Sequence, residues 1–108
     1  MTQEAQDEIE ALTAAIGAGE DLNRAIREQL HGEIARWYDF MAQWWRREGD
    51  PQSPPFADPE YLAGLRRILD ETDRAILPLL RDQQAQEYLR WRVRYEERFH
   101  GAPEEEPR

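Results

Sequence analysis

The sequence predicts an all-α fold of three to four helices in antiparallel hairpins, elongated and completed by dimerisation. Apolar residues recur at spacings of three and four along most of the chain. No stretch alternates apolar and polar residues, and β-branched residues are scarce, so no strand is expected. Four of the seven prolines cluster in one segment, residues 49–59, which separates two helical halves. With 108 residues the chain holds one domain, placed at residues 1–100 with an acidic, disordered tail at 101–108.

The first helix is expected over residues 3–16, where Ile9, Leu12 and Ile16 form a narrow stripe. Gly17 and Gly19 break that pattern, and Glu20-Asp21 offers a new start. The second helix covers 21–48, with Leu22, Ile26, Leu30, Ile34, Trp37, Met41 and Trp44 in register and no proline before Pro51. The connector at 49–58 is too rich in proline for regular structure, and Phe56 within it is expected to tuck against the helices. Asp58-Pro59 then reads as a cap followed by a proline at the first helical position, which starts a third helix over 59–77. Pro78 ends or kinks that helix near Leu77. The fourth helix, 82–99, carries Tyr88, Trp91, Tyr95 and Phe99 along one face.

The second helix has an unusually wide apolar face. With Ile34 at zero and ~100° per residue, the positions from Leu22 to Trp45, among them Tyr38 and Phe40, span about 160°, against the ~100° that one core-facing surface helix needs. One neighbouring helix does not cover that arc, so a second copy or another protein is expected on it. Trp44 and Trp45 diverge by ~100°, which puts one of them at an interface. The anchor residues are taken as Trp37, Tyr38, Met41, Trp44 and Trp45. A second contact surface is expected at Arg90, Trp91, Arg94 and Arg98, since aromatic and arginine residues dominate interface hot spots.

Composition narrows the chemistry. The net charge is −9, all 14 basic residues are arginine, and most of the net negative charge lies in the first 21 residues and the tail. That balance argues against nucleic acid as a partner, because affinity for nucleic acid comes mainly from cations on phosphates. Arg90, Arg94 and Arg98 form a stripe, but Asp82, Glu87, Glu96 and Glu97 share their helix, so a solvated face or a contact with the acidic N-terminal segment is the better reading. The absence of cysteine removes thiolate chemistry. No apolar run reaches the ~18 residues of a membrane span, so no membrane insertion is expected. Glu28-x-x-His31 has the spacing used in di-iron bundles, but the third helix offers only Asp70, Glu71 and Asp73 opposite it, and a surface pair is expected. Glu33 falls inside the apolar arc, where an arginine from another helix is its expected partner. No catalytic constellation, metal site or cofactor is expected.

The stretch Ile76-Leu77-Pro78-Leu79-Leu80-Arg81-Asp82-Gln83-Gln84-Ala85-Gln86-Glu87-Tyr88 resembles the signature of the LTxxQ-motif bacterial envelope proteins, the Spy/CpxP-like and heavy-metal-sensor group. In that signature a leucine closes one helix, a threonine starts the next, and a glutamine follows in its first turn. Leu80 and Gln84 hold matching positions, Asp82 is the expected cap, and Arg81 stands in place of the threonine. Near Leu12-Thr13 a second copy is absent or degraded, with Ile16 in place of the glutamine. The resemblance covers residues 76–100 and implies a curved helical hairpin dimer outside the cytoplasm, acting as a chaperone or a metal-responsive sensor.

The residues themselves lead to a non-enzymatic interaction or adaptor protein, a homodimer with a protein partner. Two other readings stay open: the envelope-stress chaperone or metal-responsive sensor domain just described, and an acidic inhibitor or immunity-type protein steered to a basic enzyme. The expected location is the cytoplasm, or the periplasm if the chain is a fragment lacking its leader.

Overall fold

The computed structural model describes residues 2–17, 19–48 and 58–100; the connector at 49–57 with Phe56, and the tail at 101–108, lie outside the described residues. Among the described residues the fold is all-α. Its elements are α1 (Gln3–Ile16), α2 (Glu20–Glu48), α3 (Pro59–Ile76), one 3-10 turn at Leu77–Leu79, and α4 (Asp82–His100), with no strand.

The ends of these helices follow from local chemistry. The Thr2 hydroxyl accepts the Ala5 N–H at 3.1 Å, which satisfies one of the orphan donors of the first turn. α1 stops at Gly17, whose φ of 66° turns the chain left-handed while its N–H reaches the Thr13 carbonyl. Asp58 Oδ1 accepts from the N–H groups of Glu60 and Tyr61, with Pro59 at the first helical position. α3 ends at Ile76 with Leu77 as its C-cap, near the point set by Pro78, and the chain then tightens into the 3-10 turn, closed by the Leu80 N–H on the Leu77 carbonyl. α4 then starts with the Gln84 side chain reaching back to accept the Arg81 N–H at 3.0 Å, one half of a capping box.

Side-chain bonds fix the topology. Glu10 of α1 meets Arg27 of α2, Phe40 of α2 meets Tyr61 of α3, Asp73 of α3 meets Tyr88 of α4, and Glu8 of α1 meets Arg98 of α4. Each of these pairs is antiparallel, which gives an up-down-up-down four-helix bundle. The closest backbone approaches are α2 to α3 and α1 to α4. Large side chains of α4 therefore span the space between the two pairs.

The apolar interior is divided in two. A proximal cluster joins Ile9, Leu12 and Ile16 of α1, Ile26, Leu30 and Ile34 of α2, Ile76 of α3, and Tyr88, Trp91 and Tyr95 of α4. A distal cluster joins Trp44 of α2 to Tyr61, Leu65 and Leu69 of α3, flanked by half-buried Trp37, Phe40, Met41 and Trp45. The wide arc of α2 is thus covered by different neighbours along its length: α1 and α4 on the first half, α3 on the second. The expectation that one neighbour could not cover it holds, but much of the covering comes from within the chain. In the distal cluster α2 and α3 approach closely because Gly64 has no side chain; a Cβ there would lie 2.5 Å from Phe40 Cζ.

Candidate functional site

The centre of the bundle is polar. Arg92, on α4, is fully enclosed; its Nη1 donates to Glu33 Oε2 at 2.8 Å and its Nη2 to Glu33 Oε1. Its Nε donates to Asp73 Oδ1 at 3.1 Å, and Nη2 also reaches the Leu69 carbonyl at 3.3 Å. Tyr88 donates its hydroxyl to the same Asp73 oxygen at 2.5 Å. One guanidinium therefore ties α2, α3 and α4 together. Burial alone would lower the arginine pKa, but the bonds and charges of Glu33, with the nearby Asp73, hold it above its ordinary value. Burial pushes Tyr95 up to about 12 and Tyr88 higher still, so both phenols stay protonated. Both carboxylate oxygens of Glu33 are committed to Arg92, so the pair joins helices α2 and α4. It is a strut.

Beside the strut lies a cavity of about 200 Å³, mostly carbon-walled, between the start of α1, the middle of α2 and the end of α4. It is lined by Ala5, Ile34, Trp37, Tyr38, Tyr95, Phe99 and His100, with Thr2, Glu4 and Glu33 as the polar contributors. Trp37 and His100 meet edge to face at 4.8 Å, and Tyr95 and Phe99 tilt against each other at 4.7 Å. His100 is only 8% exposed, and among the described residues neither of its buried ring nitrogens has a hydrogen-bond partner. Burial, reinforced by the charges of Arg92 and Arg66, pushes its pKa down to about 4, so the ring is neutral near pH 7.

The residues expected to bind a partner fall into three groups. Trp44 and Trp91 are enclosed by the chain itself, at 7% and 4% exposure. Trp44 packs on Tyr61, and Trp91 stacks on Tyr95 while its indole N–H donates to the Glu8 carbonyl at 3.0 Å. Trp37, Met41 and Trp45 are half-buried, and Trp37 donates to the Tyr61 hydroxyl at 3.0 Å. Tyr38, Arg90, Arg94 and Arg98 are exposed. Arg90 pairs with Glu87 on its own helix, while Arg98 donates to Glu8 at 2.6 Å and lies 3.9 Å from Glu4. Of the arginine stripe, Arg98 meets the acidic N-terminal segment. Glu28 is exposed and His31 half-buried, and among the described residues no group of three or more His, Asp or Glu is placed to hold a metal ion.

The reading of the sequence missed Arg92 and His100. A helical projection could have marked Arg92, since it stands ~40° from Tyr88 and ~20° from Phe99, at the edge of the aromatic face of α4. His100 had no such signal, because it comes at the very end of the periodic segment. No described helix is long and apolar enough to cross a membrane. Comparisons with protein-family models, with curated proteins and with solved structures give no match.

Proposed function

We propose that the chain is a non-enzymatic helical interaction module that self-associates through the distal half of α2 and presents the outer face of α4 to a protein partner. The observation that carries this reading is where the neighbours of α2 end. Trp37 already touches His100, the last residue of α4, and Thr2 just before α1 lies at the same level. α2 runs on for eleven residues beyond Trp37, some 16 Å at ~1.5 Å per residue. Tyr38, Met41 and Trp45 continue the line of Leu30 and Ile34, which α1 and α4 cover upstream. Past Trp37, α3 is the neighbouring helix among the described residues.

Tyr38, at 43% exposure, with half-buried Met41 and Trp45, gives the aromatic and thioether surface that interface centres favour. On the outer face of α4, exposed Leu89 and Val93 stand one turn apart, with exposed Arg90 and Arg94 along one side of them. A two-fold pairing of distal α2 halves places the same strip on both copies, as an isologous interface requires. Sedimentation over a concentration series tests the reading. The expected result is a reversible dimer that becomes monomeric in Tyr38→Glu; a parent chain that stays monomeric at high micromolar concentration overturns it.

A further inference from the structure

The cavity beside the strut differs from the α2 strip in kind, because it is a concave space whose wall holds a buried polar group with no partner among the described residues. We infer that it is a binding site for a small, neutral, flat aromatic molecule of one or two rings that carries one N–H or O–H group. Its size sets the first limit. An engineered apolar cavity of about 150 Å³ stays dry and admits benzene, so about 200 Å³ suits one ring or a compact fused pair.

The walls set the second limit. Trp37, Tyr38, Tyr95 and Phe99 already meet their neighbours in tilted and edge-to-face pairs, and a flat guest enters as one more member of that set. His100 supplies the polar requirement. A neutral imidazole has one donor and one acceptor nitrogen, and leaving both buried without partners costs free energy that a guest N–H or O–H offsets. Charge sets the third limit. Among the described residues Glu4 and Glu33 line the cavity and no arginine does, which opposes an anion. A cation loses its hydration in this mostly carbon-walled space, and both carboxylates already face arginines, Glu33 with Arg92 and Glu4 with Arg98.

Indole is the probe, titrated into the full chain by calorimetry and followed by amide NMR shifts. The expected result is saturable binding below millimolar concentration, with shifts centred on Ile34, Trp37, Tyr95 and His100. N-methylindole, benzoate and benzylamine bind about tenfold more weakly or worse, since each lacks the donor or carries a charge. In His100→Phe the advantage of indole over N-methylindole falls to within about twofold. Ala5→Leu, which fills the cavity, weakens indole by about tenfold; should that variant not fold, the exposed Tyr38→Ala, compared with the parent at a concentration where both are monomeric, weakens it by about threefold. No saturable binding of indole at millimolar concentration, equal affinity for benzoate, or unchanged affinity in both wall variants overturns the proposal.

Discussion

The proximal and distal clusters are built from similar residues and held in opposite ways. The proximal one has helices on four sides and a buried ion pair at its centre. Among the described residues the distal one has two helices, a glycine contact and the hydrogen bond from Trp37 to Tyr61. Enclosure lets the first fix its geometry through a charge network, since a partially enclosed pair is screened by water and fixes little. The second depends on ring packing, so it keeps a half-covered aromatic edge available for contact. The difference shows how one long amphipathic helix serves as core along one half and as surface along the other.

Breaking the strut tests the proximal half most severely. Arg92→Met leaves the Glu33 carboxylate buried without its partner and is expected to cost about 3–5 kcal/mol in denaturant unfolding. Glu33→Leu combined with Arg92→Met is expected to recover most of that loss, because two apolar groups replace the pair. A double variant as weak as the single one would show that the network does more than satisfy its own members.

A smaller effect belongs to the junction between the halves. The His100 pKa is depressed in the folded chain to about 4 from an ordinary 6.5, so the stability it contributes is fully present above pH 6.5. As pH falls from 6.5 through about 4, the unfolded chain takes up a proton that the folded chain resists, and up to about 3 kcal/mol is lost. Thermal midpoints across that window should fall more steeply for the parent than for His100→Phe, and parallel curves would contradict the assignment.

The smallest effect tests the distal half. Gly64→Ala gains up to about 1 kcal/mol in helix propensity but drives a Cβ into the Phe40 ring, for a net loss of about 1–2 kcal/mol. A stabilised variant would mean that the ring moves freely and that α2 and α3 are less tightly joined than in the proximal half.

The fold class was legible because helix periodicity is local: the stripe of α1, the capping pair Asp58-Pro59 and the aromatic face of α4 each declare themselves within a few residues. The partner of Glu33 was legible only as a type, an arginine from another helix. Which of the arginines of α4 it would be depended on the rotation of that helix, and so on the packing of Tyr88, Trp91 and Tyr95. Trp44 reads as a surface anchor because the width of an apolar arc does not say how many helices of the same chain will share it, and Trp91 because aromatics interleaved with arginines look alike whether they face a partner or the core. The cavity had no local signature at all, as it lies where three helices meet at different points of their length.

The tryptophans are unevenly divided between the two halves. Three of the four, Trp37, Trp44 and Trp45, lie along the distal part of α2, and Trp91 alone sits in the proximal cluster. Intrinsic fluorescence is therefore weighted toward one end of the molecule, while far-ultraviolet circular dichroism averages over all four helices. Fluorescence and dichroism melts that coincide mean that the halves unfold as one cooperative unit; a fluorescence transition at lower temperature means that the distal end opens first.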